Sequence, residues 1–384
     1  MRLSRRAFVR TLGLGGAGVI SGAVVSARGR EDLVGLGRLE AGWAGLDAAN
    51  SGVIRINSNE NPNGPGPRAI EAIRAAFSDA NRYPFDWAPK ITKAIAEHLA
   101  VPEENVLTTC GSSEVLRLTT LACTSPTKAL VTAAPTYEEP ERVATAFGHP
   151  LRSIPVDADL RLDLKAMAGQ VSGAGLVFFC NPNNPTGTVY GADVVNDFIR
   201  TVNRTSPETV ILMDEAYHEY VPDTKYKTAI PVALENPTVV VSRTFSKVYG
   251  MAGLRLGYAV ARKETIDKLR RYRVANAVNV LAAASGVATL SDRERVAREV
   301  KANAEAREFT TKAFADMGYP SLPSQANFVM VNIRRDVKAF QDACRAQNVL
   351  IGRTFPPLTT YARVTIGTMD EMRRAVDVFK KALA

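Results

Sequence analysis

Four short apolar runs punctuate the middle of the chain: Ala129–Ala133, Leu176–Cys180, Val210–Met213 and Val239–Ser242. Each gives way to polar or Gly- and Pro-rich residues, and helical patterns fill the intervals. Runs this short and this uniformly apolar predict strands covered on both faces. Strands alternating with helices predict an α/β domain, a mostly parallel sheet between two helical layers, over residues 58–265. Ligands of such sheets sit beyond the carboxyl ends of the strands. From residue 266 to 384 the texture changes. A charged helical stretch from Ser291 to Met317 leads to a strand at Asn327–Val331 and a helix at Asp336–Gln347. Short strands near Val349–Gly352 and Ala362–Ile366 and a last helix from Asp370 complete a smaller α+β domain. Residues 28–57 show little periodicity and are expected to form an arm that packs with this smaller domain.

The first 27 residues have a different character. Arg2, Arg5, Arg6 and Arg10 occur there without any acid, followed by an uncharged run from Thr11 to Val25 rich in Gly and Ala. That run has 15 residues, short of the ~20 a membrane-spanning helix needs. The paired arginines, the apolar residue two positions later and the weakly hydrophobic stretch resemble a twin-arginine export signal, with Val25-Ser26-Ala27 as a cleavage point. The resemblance implies export of the folded protein through the twin-arginine machinery into a bacterial periplasm.

Net charge changes this picture little. The formal charge is +9, and the four leading arginines supply almost half of it. The rest is spread along the chain with no basic stripe, so a nucleic-acid partner is not expected. Cys110, Cys123, Cys180 and Cys344 lack Cys-x-x-Cys spacing and nearby histidines, and they read as packing residues rather than metal ligands; no metal is expected. His98, His149 and His218 read as packed or surface residues.

The chemically suggestive residues follow the apolar runs. Lys247 lies just past one of them in Ser242-Arg243-Thr244-Phe245-Ser246-Lys247, with Arg255 eight positions on in Gly253-Leu254-Arg255-Leu256-Gly257. A lysine that attacks an aldehyde near neutral pH needs a lowered pKa, which burial and a nearby cation supply. Hydroxyls and a guanidinium fork suit a phosphate. Asp214, at the end of another run in Met213-Asp214-Glu215-Ala216-Tyr217, could hold a pyridine nitrogen protonated and make the ring an electron sink. In Asn181-Pro182-Asn183-Asn184-Pro185-Thr186-Gly187, two Asn-Pro steps hold an extended turn able to present an amide. Thr109-Cys110-Gly111-Ser112-Ser113-Glu114 precedes a helical pattern and offers either an anion site or a simple helix cap.

Taken together, Asn-Pro-Asn-Asn-Pro-Thr-Gly, Asp-Glu-Ala-Tyr, Ser-Lys with Gly-x-Arg-x-Gly, and Arg363-Val364-Thr365-Ile366-Gly367 stand in the order found in class I/II aminotransferases. Asn57-Ser58-Asn59-Glu60-Asn61-Pro62 and Arg82-Tyr83-Pro84 look like the histidinol-phosphate aminotransferase branch. The resemblance covers residues 53–384 and implies the fold type I architecture of pyridoxal-phosphate enzymes, with a seven-stranded type of sheet. It implies pyridoxal 5′-phosphate as cofactor, held covalently by Lys247, which on release serves as general base. Asp214 would pair with the ring nitrogen, and Asn184 and Tyr217 with the ring oxygen. Tyr137 would stack on the ring, and Ser112, Ser113, Thr244, Ser246 and Arg255 would hold the phosphate. Tyr83 would reach the phosphate of a neighbouring subunit, implying a homodimer. Arg363 would clamp the substrate α-carboxylate, with Arg353 and Asn61 also at the substrate.

Two positions depart from that branch. Asn63 stands where Tyr or Phe often follows Asn-Glu-Asn-Pro, and Arg353 is followed by the stiff, apolar Phe355-Pro356-Pro357. The expected activity is therefore amino transfer between an amino acid and a 2-oxo acid, with a side-chain preference other than histidinol phosphate. A decarboxylase or lyase of the phosphothreonine decarboxylase type and a true histidinol-phosphate aminotransferase are the alternatives.

Overall fold

The computed structural model describes residues 52–384. The expected export signal and most of the arm lie outside the described residues. In chain order the elements are β1 (Ile54–Ile56), α1 (Pro67–Ala76), α2 (Trp87–Leu99), β2 (Val106–Thr109), α3 (Ser112–Cys123), β3 (Ala129–Ala134), α4 (Glu139–Ala146), β4 (Leu151–Pro155), α5 (Leu164–Gly169) and β5 (Ala174–Cys180). There follow α6 (Ala192–Thr205), β6 (Val210–Asp214), α7 (Ile230–Glu235), β7 (Val239–Thr244), β8 (Gly257–Val260), α8 (Lys263–Arg270), α9 (Val280–Leu290) and α10 (Arg293–Asp316). The chain closes with β9 (Phe328–Asn332), α11 (Val337–Arg345), β10 (Val349–Ile351), β11 (Tyr361–Thr365) and α12 (Met369–Leu383).

Seven strands form one sheet in the order β2-β8-β7-β6-β5-β3-β4. Pairing is parallel from β4 through β7, while β8 runs antiparallel to both β7 and β2. The expected mostly parallel sheet is thus present. Its strands are covered on both sides because alternate residues enter different cores: Phe179, Ile211 and Val241 face one, Phe178, Leu212 and Val240 the other. Helices α2, α6 and α9 cover the first face, and α3 and α8 the second. The first of these cores reaches well past residue 266, through Ala282, Ala283 and Leu290 of α9.

The smaller α+β region has its own core. Phe314 of α10 stacks on Phe379 of α12 at 5.1 Å between centroids, and Phe340 of α11 closes on the same ring at 5.6 Å. Two two-stranded pieces frame it: β9 with β11, antiparallel, and β1 with β10, parallel. Ile54 and Ile56 of β1 are buried in this core, so the segment before the larger sheet is anchored on the far region. Side-chain caps hold the helices here. Asp336 Oδ1 accepts from the first turn of α11, and Thr368 and Glu371 make a reciprocal capping box at α12, a device typically contributing about 1 kcal/mol.

One strand of the β9–β11 ribbon serves both regions. Val329 and Val331 enter the smaller core, whereas Phe328 turns to the larger one. Its ring meets Tyr217 edge-on at 5.3 Å.

Candidate active site

The parallel arrangement puts the carboxyl ends of β2, β3, β5, β6 and β7 on one edge of the sheet, together with the amino end of β8. A cavity of about 700 Å³ lies there. It is lined by Ser112 and Ser113 after β2, Tyr137 after β3, Asn184 after β5, Asp214 and Tyr217 at the end of β6, and Lys247 after β7. Thr244, Ser246 and Arg255 line it from the β7–β8 connection, and Arg353 and Arg363 from the smaller region.

Lys247 donates from Nζ to the main-chain oxygen of Asn59 at 3.0 Å. Enclosure first, and the positive charge of Arg363 second, lower its pKa to about 8 from the usual 10.5. A useful fraction of free amine is therefore present near neutrality, as a nucleophilic lysine requires. Asp214 is 3% exposed, and burial pushes its carboxyl up to about 7, opposed by the charge of Lys247. Its Oδ1 is buried without a hydrogen-bond partner among the described residues. An orphaned carboxylate oxygen at a strand end calls for a cation, and a protonated pyridine nitrogen is the kind of group that would satisfy it. Tyr217 accepts from Asn59 Nδ2 at 3.0 Å. Burial holds its phenol above the ordinary range, so it stays a neutral donor.

Arg363 projects from β11. Its Nη1 donates to Asn184 Oδ1 at 2.7 Å and its Nη2 to the Asn57 carbonyl at 3.0 Å. The guanidinium lies over the rings of Phe355 at 4.7 Å and Phe328 at 5.7 Å. Burial, with help from Arg353, lowers its pKa to about 10, leaving it charged at neutral pH. Its Nε is buried and has no partner among the described residues, so donor capacity remains for a carboxylate.

At the other end, α3 begins at Gly111 with no side-chain cap, leaving first-turn N–H groups available to an anion. Gly111 has φ +78°, and a Cβ there would fall 2.2 Å from Arg255 Nη2. Gly257 likewise has room only for hydrogen, since a Cβ would lie 2.3 Å from the Ser112 nitrogen. Arg255 is threaded between these close approaches and donates to Ser246 Oγ at 3.3 Å, while Thr244 Oγ1 contacts Ser246 Oγ at 2.9 Å. Amides, two hydroxyls and a guanidinium thus converge on a pocket of phosphate character.

Asn183 ties two of these loops together. It accepts from Thr136 Oγ1 at 2.7 Å and donates to the Pro135 carbonyl at 3.3 Å, which fixes Tyr137 relative to Asn184. Beneath Asp214, Glu215 and Arg243 form a buried ion pair at 2.8 Å.

Two expected site residues do not line this cavity within the single chain. Asn61 donates to the Val248 carbonyl at 2.9 Å and to Glu299 at 3.0 Å, and it borders a smaller neighbouring cavity that Glu60 also lines. Tyr83 is 72% exposed, its ring 5.7 Å from that of Phe85, which is also exposed. Conversely, the sequence reading missed Asn59. Its backbone is left-handed at φ 54°, a conformation that Asn tolerates better than most residues. That geometry aims its carbonyl at Lys247 and its amide at Tyr217. The only signal was its place in the Asn-Ser-Asn-Glu-Asn motif. Gln341 and Arg345 of α11, also at the cavity, carried no signal.

The orphaned Asp214 oxygen, the hydrogen-only cradle at Gly111 and the depressed Lys247 fit pyridoxal phosphate. When bound, that cofactor supplies an electron sink for the charge that develops at a substrate Cα. This chain holds it and manages the protons. Lys247 would provide an amine to hold the aldehyde carbon and to carry a proton at Cα, Asp214 would balance the ring-nitrogen charge, and Arg363 would orient the carboxylate.

The family model "Aminotransferase class I and II" matches residues 51–379. The chain is 37% identical over 333 residues to the histidinol-phosphate aminotransferase of Symbiobacterium thermophilum, covering 86% of this chain and 91% of that one. It is 34% identical over 351 residues to an aromatic amino acid aminotransferase of Nocardia farcinica, covering 90% and 95%. The crystal structure of the Sinorhizobium meliloti histidinol-phosphate aminotransferase, in complex with pyridoxal-5′-phosphate, superposes with a TM-score of 0.80 at 27% identity, covering 86% of this chain and 90% of that one. The chain belongs to the class I and II aminotransferases, and it is a pyridoxal-phosphate-dependent enzyme that transfers an amino group.

Proposed function

We propose that the enzyme moves an amino group between an amino acid and a 2-oxo acid, with a side-chain preference other than histidinol phosphate. The observation that carries this is the state of Arg353. Its guanidinium carbon lies 4.2 Å from the centre of the Phe355 ring and the group is paired with Glu138, so its charge is balanced within the protein. Arg363, by contrast, has an Nε with no partner among the described residues, which suits a carboxylate, a group that amino acids have and histidinol phosphate lacks. A second reading, histidinol phosphate itself, draws support from the names of relatives such as that of Symbiobacterium thermophilum. Steady-state assay of the purified enzyme with histidinol phosphate and a panel of free amino acids decides between them. Histidinol phosphate exceeding every amino acid by orders of magnitude in kcat/KM would overturn the first reading.

We also propose that residues 1–27 direct export by the twin-arginine route to a bacterial periplasm, and that the enzyme works as a homodimer. The paired Arg5 and Arg6 ahead of an uncharged run support the first. The exposed rings of Tyr83 and Phe85, 5.7 Å apart, support the second, because neighbouring exposed aromatics make an apolar patch of the kind that marks an interaction surface. Replacing Arg5 and Arg6 by Lys should retain the protein in the cytoplasm. Sedimentation should give twice the chain mass, and a monomeric Tyr83→Asp variant should lose cofactor affinity.

A further inference from the structure

We propose that Glu138 is a specificity-determining residue, which sets the preference for uncharged side chains by holding the charge of Arg353. The inference rests on the amino-acid reading above and names the group responsible for it.

Glu138 follows Tyr137 in the connection between β3 and α4 and belongs to the larger region, whereas Arg353 follows β10 in the smaller one. Their ion pair joins positions 215 residues apart. Phe355, 3% exposed, supports Arg353 at 4.2 Å and Arg363 at 4.7 Å. One ring thus underlies both the carboxylate clamp and the guanidinium next to it. Confined by that ring, Arg353 has Glu138 within reach while still bordering the cavity. Arg345, exposed on α11, is the other cation at the cavity there. The acids that line the cavity, Glu60 and Asp214, belong to the segment after β1 and to the sheet edge.

The two ends of the cavity therefore differ in kind. At Arg363 an anion meets a guanidinium with a free donor. At Arg353 an incoming phosphate or carboxylate must compete with Glu138 and approach its negative charge. The pair is half-exposed and adds little to folding stability. A unit charge a few ångströms from a substrate group still changes the affinity of an anion by about tenfold in a partly solvated site. A neutral or aromatic side chain meets no such opposition. Glu138 acts through Arg353, so it is a positioning residue in the ordinary sense of catalysis.

The test uses the cofactor-loaded enzyme and four amino donors: L-glutamate and histidinol phosphate as anionic, L-phenylalanine and L-leucine as uncharged. The readout is the ratio of kcat/KM for anionic over uncharged donors. Glu138→Gln, which keeps shape and removes charge, is expected to raise this ratio about tenfold and to make it fall more steeply with salt. Glu138→Asp is expected to keep the ratio near wild type. Adding Arg353→Gln to Glu138→Gln is expected to cancel the gain. An unchanged ratio in Glu138→Gln, or an equal loss for all four donors, overturns the proposal. If wild type prefers histidinol phosphate while Glu138→Gln still raises the ratio, the amino-acid reading fails and the role of Glu138 stands.

Discussion

Arg363 and Asn184 meet across the cavity, with Nη1 of the one donating to Oδ1 of the other at 2.7 Å. A strand of the smaller region thereby rests on the residue that follows β5 of the sheet. With its oxygen engaged, Asn184 has only its amide N–H groups left for a cofactor oxygen. One side chain would thus serve cofactor and carboxylate clamp together. Asn184→Asp should bind Arg363 more tightly, since hydrogen bonds to a charged acceptor are about twice as strong, and should repel the substrate carboxylate. KM for amino acids is expected to rise at least roughly tenfold with a smaller change in kcat. An amine substrate lacking the carboxylate should escape the penalty, and a uniform loss for both would contradict this coupling.

Two groups make the stability of the cofactor-free protein depend on pH in opposite directions. Asp214 is raised from 3.8 to about 7, so between those values the folded state holds more protons than the unfolded one. Stability then falls as pH rises from 4 to 7. Lys247 is lowered from 10.5 to about 8, so the unfolded state holds more protons above pH 8 and stability recovers toward pH 10. Asp214→Asn should flatten the acidic limb and raise stability at pH 7.5, by on the order of 2–4 kcal/mol if the full shift is expressed. Chemical denaturation of the apoprotein from pH 4 to 10 measures both limbs. A wild-type curve that climbs from pH 4 to 7 no less than the Asp214→Asn curve would refute the assignment.

Gly111→Ala tests the phosphate cradle. The added methyl meets Arg255 at 2.2 Å in a backbone at φ +78°, so either Arg255 moves or the loop does. Strain of roughly 1–3 kcal/mol should appear as weaker cofactor binding, about tenfold or more in Kd, read from absorbance on titration with pyridoxal phosphate. The amino acid KM of the saturated enzyme should change far less.

Asn59→Ala removes the amide that supports Tyr217 and Thr365 and places a Cβ-only side chain in a left-handed backbone. Leaving buried partners unsatisfied costs about 1–3 kcal/mol. We expect a lower Tm and a shift in the pH at which the bound cofactor changes colour, because the carbonyl that holds Lys247 moves with the backbone. A spectral titration identical to wild type would rule out the positioning role.

The strands β3, β5, β6 and β7 were legible because parallel strands covered on both faces read as unbroken apolar runs. β8 was not, since Gly257-Tyr258-Ala259-Val260 is too short to stand out, and neither was β4, which ends in a proline and is half-exposed at the sheet edge. Lys247, Asp214 and Arg255 could be found because they follow those runs at fixed spacing. Asn59 escaped because it acts partly through its carbonyl and its backbone conformation, neither of which has a compositional mark. Glu138 escaped because its meaning lies in a partner 215 positions away. Asn61 and Asn59 share one motif, and only their contacts separate them: Asn61 with Val248 and Glu299, Asn59 with Lys247 and Tyr217.

The parallel pair of β1 with β10 limits how far the protein can be shortened from its beginning. Three residues of β1 fix the direction in which the chain enters the cavity, and Asn57, the next residue, lends its carbonyl to Arg363. Maturation by a peptidase, or truncation by design, is compatible with a working carboxylate clamp only if the cut falls before Ile54. Past that point the enzyme would keep every residue of its sheet and lose its grip on the substrate.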